Sequence, residues 1–240
     1  MMQMRSTLLG ALAALALMLG LAPYQVHAAS EQRTPGDFQA VVAHGAFDVL
    51  LRQGEKTLVE LDGDAEALSR VETVVESGAD GPVLQIRQKG RGRASWSGKG
   101  VVVRLVTPRL KAVAMNGSGD LKLDAFQTPG LRVSLAGSGD ARLEGLQTQQ
   151  LTVAIAGSGD VHGEGRATAI KLSIAGAGDA RLRAMIAESV DVGIAGSGDA
   201  EVHAEKSLSV RIAGSGDVRY LGRPSLTSSV AGSGSVHSLR

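Results

Sequence analysis

The chain has no cysteine. Disulfides therefore lend it no support, and stability must come from packing and backbone pairing. Aromatic residues are nearly as scarce, with one Trp, two Tyr and three Phe in 240 residues. That removes the usual stacking platforms for sugars and bases. An excess of charge of either sign is missing too. Arg5 is the one charged residue among the first 28, so the remainder carries 24 basic and 24 acidic residues. Such a balance argues against a nucleic-acid partner, which asks for a basic face, and against general capture of anionic surfaces.

Apolar runs are confined to the start. Arg5 supplies a positive charge, Leu8 to Ala22 is apolar, and Val26-His27-Ala28 ends the stretch with small residues. This reads as a signal peptide over residues 1–28, cleaved between Ala28 and Ala29. The apolar stretch is short for a bilayer span, which takes roughly 20 residues. Without a cysteine it is not a lipoprotein signal. Localisation is expected to be periplasmic or secreted, with no transmembrane anchor left after cleavage. Residues 29–37 form a polar lead, and residues 38–240 are long enough for one sizeable core.

What the chain has in plenty is glycine, 32 residues of it, and much of it recurs in one motif. Ala136-Gly137-Ser138-Gly139-Asp140 returns as Ala156 to Asp160, Ala195 to Asp199 and Ala213 to Asp217. Ala175 to Asp179 has Ala for Ser, Asn116 to Asp120 opens with Asn, and Ala231 to Ser235 ends with Ser. The spacings between final residues are 20, 20, 19, 20, 18 and 18. A period near twenty is the signature of a solenoid, whose units bury their apolar faces only by stacking.

Between corners the pattern alternates with period two. Leu131, Val133 and Leu135 alternate with Arg132 and Ser134; Leu151, Val153 and Ile155 with Thr152. The same holds for Ile170, Leu172, Ile174, for Val190, Val192, Ile194, and for Leu208, Val210, Ile212. These are strands with one buried face. After each corner Leu143, Leu182 and Val202 point in, while Arg142, Arg181, Glu201 and Arg219 point out. Strand, corner, strand and looser return make one coil, and coils pairing in parallel at about 4.8 Å give an all-β parallel β-helix. In the last coil Ser228 and Ser235 replace the core Val and the corner Asp, as a solenoid end requires.

Residues 110–240 hold the regular repeats and residues 38–109 less regular coils. In the latter, Phe38 to Val42, Val49 to Leu51, Thr57 to Leu61, Val83 to Arg87 and Val101 to Val106 read as strands. Gly45-Ala46-Phe47-Asp48-Val49 is a degenerate corner and marks an early coil. Asp64 is placed to cap one short helix carrying Leu68, Val71, Val74 and Val75 before Gly78 stops it. Gln88 to Gly100, with Trp96, reads as a solvated basic hairpin.

The corner glycines are Gly117 and Gly119, Gly137 and Gly139, Gly157 and Gly159, Gly176 and Gly178, Gly196 and Gly198, Gly214 and Gly216, Gly232 and Gly234. They permit positive φ and close approach of successive coils. Register would align Asp120, Asp140, Asp160, Asp179, Asp199 and Asp217 in one column, each carboxylate accepting amide hydrogens from its own corner or the next coil. The same six are weak Ca²⁺ candidates, because one carboxylate per coil supplies too few ligands. No other metal site and no cofactor is expected. His162 and His237 fall in one outward column but four coils apart, too far to share an ion. The corner serines have no histidine in register, so a nucleophile–base pair is unsupported. Glu144 and Glu164, near the returns, are the candidate unique acids for a polysaccharide lyase or hydrolase, and both read as solvated.

The repeated Ala-Gly-Ser-Gly-Asp corners, the upstream Gly-Ala-Phe-Asp-Val-Leu-Leu segment and the stretch from Val83 to Val106 with its Ser-Trp-Ser core resemble the putative auto-transporter adhesin head GIN domain, a bacterial domain of unknown function. The resemblance spans roughly Phe38 to Arg240. It implies a single-stranded right-handed β-helix on an exported protein and brings no catalytic residues. Nothing at Ser238-Leu239-Arg240 resembles the strands of a membrane barrel, so export is expected to rely on other machinery. The expected function is a non-enzymatic adhesion, binding or structural module of the cell envelope, its partner either an unknown envelope or extracellular component or a second copy of the chain. The alternative is a carbohydrate-active enzyme on the same scaffold.

Overall fold

The computed structural model describes residues 28–78, 81–89 and 100–239. Residues 1–27, which hold all but the last residue of the expected signal peptide, and most of the Gln88–Gly100 segment, Trp96 included, lie outside the described residues. In chain order the elements are β1 (Ala28–Arg33), β2 (Ala40–Gly45), β3 (Asp48–Gln53), β4 (Leu58–Asp64), α1 (Ala65–Ser69), β5 (Val71–Gly78), β6 (Gly81–Gln88), β7 (Val102–Thr107), β8 (Ala112–Gly117) and β9 (Leu121–Asp124). The regular part follows as β10 (Gln127–Gly137), β11 (Ala141–Gly157), β12 (Val161–Gly176), β13 (Ala180–Gly196), β14 (Ala200–Gly214), β15 (Val218–Leu221), β16 (Ser225–Gly232) and β17 (Val236–Ser238).

Each long strand from β11 to β14 begins just after one Asp and ends at the next corner glycine. It therefore covers a second face, a return and the first face of the following rung. Neighbours pair in parallel, Val133 beside Val153, Val153 beside Leu172, Leu172 beside Val192 and Val192 beside Val210. Extended backward through Val113 to Val41, this column is at most 1% exposed at every level. Each such side chain contributes roughly 1.5–3 kcal/mol by leaving water. Differences in coil length are absorbed away from the corners. Between β13 and β14 the pairing jumps from Leu182–Val202 to Ile186–His203 at the return, then regains step, so Ala195 still meets Ala213.

The N-terminal part departs from chain order. β2 pairs in parallel with both β6 and β8, and β3 with both β7 and β9. The rung made of β6 and β7 therefore lies outside the β2–β3 rung, although it comes later in the chain. Beyond it the sheet reverses: β5 runs antiparallel to β6, β4 to β7, and β1 to β4. These strands and α1, with Leu68 and Val71 buried, close that end of the stack.

Two expectations need correction. The helix is a single turn, Ala65–Ser69, and Asp64 at its start makes no side-chain cap hydrogen bond. Val71, Val74 and Val75 lie on β5 instead. Four β-branched residues in Val71-Glu72-Thr73-Val74-Val75 favour the strand, and β6 supplies eight residues of pairing. The polar lead is also partly structured, since β1 begins at Ala28 and pairs with β4 over all six of its residues. Its Arg33 reaches the carbonyl oxygens of Val71 (2.8 Å) and Leu68 (2.9 Å), tying the edge strand to α1 and β5.

Candidate functional site

The repeated corner is the chemical signature of the chain, and the structure shows what each of its residues does. A Cβ added to Gly137 would lie 2.0 Å from the carbonyl oxygen of Gly117, and one added to Gly139 would lie 2.0 Å from that of Gly119. The same distances, 2.0–2.2 Å, recur up the stack to Gly232 and Gly234. Both glycines are thus dictated by the rung beneath, and the first also has φ near +140°. In the early corner Phe47 occupies the place of the second glycine, and its side chain is buried. The rung beneath joins β6 to β7 through residues that lie largely outside the described ones.

The aspartates form one seam. The amide of Asp140 donates to Oδ1 of Asp120 at 2.9 Å, and that of Asp160 to Oδ1 of Asp140 at 2.9 Å. The pattern continues through Asp179, Asp199 and Asp217 to Ser235, each amide 2.8–2.9 Å from the carboxylate before it. It also begins earlier than expected, because the Asp120 amide donates to Oδ1 of Asp48 at 3.1 Å. Asp48 was legible as part of the degenerate corner but not as a seam member. One oxygen of every seam carboxylate is thereby engaged by backbone. Among the described residues no group of three or more His, Cys, Asp or Glu side chains is placed to hold a metal ion.

At the end of the seam the Ser235 hydroxyl (2.5 Å) and amide (2.9 Å) both donate to Asp217. The hydroxyl bond is the main cause holding the Asp217 carboxyl below the usual carboxylate range. Partial desolvation opposes it, and the Ser235 amide, Arg219 and His237 reinforce it.

Two faces meet at this seam, and they differ in chemistry. On the first face two outward columns are mostly small, Ser134, Ala154, Ser173 and Gly193, then Arg211, in one, and Ala136, Ala156, Ala175, Ala195 and Ala213 in the next, while a third, Arg132, Thr152, Lys171, Asp191 and Ser209, is mixed. On the second face the column two residues past each Asp is largely basic: Lys122, Arg142, His162, Arg181, then Glu201, Arg219 and His237. His162 and His237 do share this column, separated by Arg181, Glu201 and Arg219. The seam balances part of the charge. Arg181 contacts Asp160 (2.9 Å) and Asp179 (3.1 Å), and Arg219 contacts Asp199 (3.5 Å). Lys122 pairs with Glu144 at 2.9 Å, which raises its pKa, and Arg183 approaches Glu201 at 3.8 Å.

An open groove of about 540 Å³ crosses this second face and brings Glu144, Glu164 and Glu201 together with Arg142, His162, Arg181 and Arg183. The two acids singled out from the sequence therefore share one depression, with a third acid the sequence did not mark. A second open groove, about 440 Å³, follows the return and is lined by Gln127, Gln147, Gln149, Thr128, Thr148 and Arg166 among others. Both are shallow and formed by equivalent positions of successive rungs. No described helix is long and apolar enough to cross a membrane.

No curated protein matches the chain. Among solved structures, a putative adhesin from Bacteroides fragilis superposes with a TM-score of 0.80 at 21% identity, covering 89% of this chain and 97% of that one. A putative lipid binding protein from Parabacteroides distasonis gives 0.72 at 21% identity (90% and 98%), and a putative adhesin from Parabacteroides merdae gives 0.68 at 22% (89% and 96%). Identities this low speak for a shared fold alone. The family model described as "Putative auto-transporter adhesin, head GIN domain" matches residues 37–224, which hold every corner of the seam except its terminal one, and the chain belongs to that family.

Proposed function

We propose that the protein is an exported, non-enzymatic β-helix module that binds a cell-envelope partner through its flat outward faces. The observation that carries this reading is the recurrence, on consecutive rungs, of alanine up one outward column (Ala136, Ala156, Ala175, Ala195 and Ala213) and of basic residues up another (Lys122, Arg142, His162 and Arg181). Extended polymers and planar surfaces are the partners that can use such repetition. Membership of a family named for adhesin heads, and the leader over residues 1–28, support an exported adhesion-like role.

The test is co-sedimentation of residues 28–240 with separated envelope fractions: peptidoglycan sacculi, outer-membrane vesicles and extracellular polysaccharide. Saturable retention by one fraction, lost when alanines of the first face such as Ala156 and Ala195 are changed to Glu, is the expected result. Retention by none would refute the proposal.

A second reading is favoured by one observation, the convergence of Glu144, Glu164 and Glu201 in the second-face groove. Paired carboxylates are the equipment of glycoside hydrolysis. Release of reducing ends from an envelope polysaccharide, abolished by Glu164→Gln with folding unchanged, would establish the enzyme in place of the binding module.

A further inference from the structure

The two ends of the stack are built differently. At the N-terminal end β1, β4 and β5 run antiparallel to their neighbours, and α1 buries Leu68 against the core. At the other end β16 pairs only with β14, and all eight of its residues are exposed. Leu226 and Val230 continue the columns of Leu208 and Ile212. They are 40% and 41% exposed, the exposed large hydrophobic residues among those described. Ser228 stands between them in the column of Val210.

We infer that this end is an isologous interface at which a second copy of the chain docks, edge to edge, through β16. The two ends do not match: the N-terminal end presents the reversed strands β1 and β5 and the turn of helix α1 in place of a parallel rung, so the counterpart of an open end is another open end. The strand suits a two-fold axis. With the axis through Ser228 and β16 antiparallel to its copy, the inward faces of both strands stay on the same side. Each Leu226 then lies opposite Val230 of the second copy, and the two Ser228 side chains face each other. Arg223 falls opposite Ser233, so like charges do not meet along the edge. Directly opposed aliphatic residues are the favourable cross-strand pairs, and pairing removes the exposed backbone edge. The terminal rung, residues 222–239, approaches the roughly 20–30 residues a side of a standard interface. An isologous contact closes on itself and yields a dimer, not a fibre.

The experiment is sedimentation equilibrium of residues 28–240, which carry every strand of the fold, together with two variants. The parent chain is expected to reach twice the monomer mass in a concentration-dependent way. Leu226→Lys, at a site already open to solvent, is expected to halve that mass with an unchanged circular dichroism spectrum. Because the chain has no cysteine, Ser228→Cys provides a lone thiol on the proposed axis. Mild oxidation should convert it to a disulfide-linked pair on a non-reducing gel, while Thr73→Cys, on the capped end, should stay monomeric. A chain that sediments as a monomer at all concentrations would overturn the inference. So would a dimer that survives Leu226→Lys and fails to cross-link through S228C, because it would use another surface. Open-ended polymers would also overturn it.

Discussion

Replacing Gly157 by Ala tests the account of the corner most directly. The added Cβ would sit 2.1 Å from the carbonyl oxygen of Gly137, and the backbone would have to hold φ near +139°. A non-glycine residue in that region costs roughly 1–2 kcal/mol. Relieving the overlap means parting two rungs that lie about 4.8 Å apart. The bonds that would stretch are Ser158 amide to Gly137 oxygen (3.0 Å) and Asp160 amide to Asp140 Oδ1 (2.9 Å). The first is worth about 1 kcal/mol and the charged one about 1.5–3 kcal/mol. Together these give a loss of about 4 kcal/mol, well above an average substitution. Gly193→Ala is the internal control. It lies on an outward column where an added Cβ meets only the Leu172 oxygen, at 3.9 Å. Its effect should be neutral or stabilising by up to about 1 kcal/mol, from the smaller unfolded-state entropy. In urea unfolding followed by circular dichroism, with a slope of about 2–3 kcal/mol/M, Gly157→Ala should lower the midpoint by roughly 1.5 M. Equal midpoints for the two variants would refute the argument that rung contact dictates the glycines.

Asp160→Ala removes the acceptor of the Asp179 amide and a partner of Arg181, for a loss of about 1–3 kcal/mol. Asp160→Asn keeps a carbonyl oxygen and should recover most of it, and equal losses for both would show that charge, not acceptance, matters. Asp217 gives a pH dependence of defined sign. A carboxyl held below its ordinary 3.8 stabilises fully above the unfolded-state value and loses that contribution as pH falls through the native one. Acid should therefore loosen the terminal rung first below about pH 4. Ser235→Ala should raise the Asp217 titration midpoint seen by carboxyl NMR, and an unmoved midpoint would discard the hydroxyl as its cause. Arg33→Ala leaves the carbonyls of Leu68 and Val71 without their guanidinium. It should reduce hydrogen-exchange protection across residues 58–78 while leaving residues 127–214 unchanged, and uniform loss would mean that the cap and the stack unfold as one.

Most of the regular stack was legible because every constraint within it acts at one fixed sequence offset. The corner glycines answer to a carbonyl one coil earlier, Val133 to Val153 and Asp140 to Asp120, so the period itself encoded the register. Where partners are not one coil away, the pattern fell silent. Nothing local in Val83 to Arg87 says that it lies outside Val41 and not beyond it. That ordering comes from antiparallel strands whose pairing partners are long-range. The helix was there but was read too long for a related reason, since Leu68, Val71 and Val75 satisfy a helical spacing while tertiary pairing with β6 decides for a strand from Val71 on. Phe47 is the instructive intermediate: it breaks the motif, yet Gly45 still pairs with Gly117 and Asp48 still accepts from the Asp120 amide, so the corner keeps its register. The groove holding Glu144, Glu164 and Glu201 was partly hidden, because register shifts at the return place residues of unequal spacing side by side.

The division of labour between seam and faces bears on where specificity resides. Every seam residue is committed: the glycines to contact, the carboxylate to the next amide, the inward neighbours to the core. A substitution there changes stability before it changes recognition. The outward columns carry no such obligation, and the one farthest from the corner shows it by varying from rung to rung, through Thr152, Lys171, Asp191 and Ser209. On the second face the basic residues past each Asp are drawn toward the seam, so part of their charge is spent internally at Asp160, Asp179 and Asp199. The small-residue first face has few such internal commitments, and its alanines allow a flat partner to approach the sheet closely. For the binding role proposed above, recognition by shape and close contact on that face, with the charged face setting orientation, is the arrangement these commitments leave available.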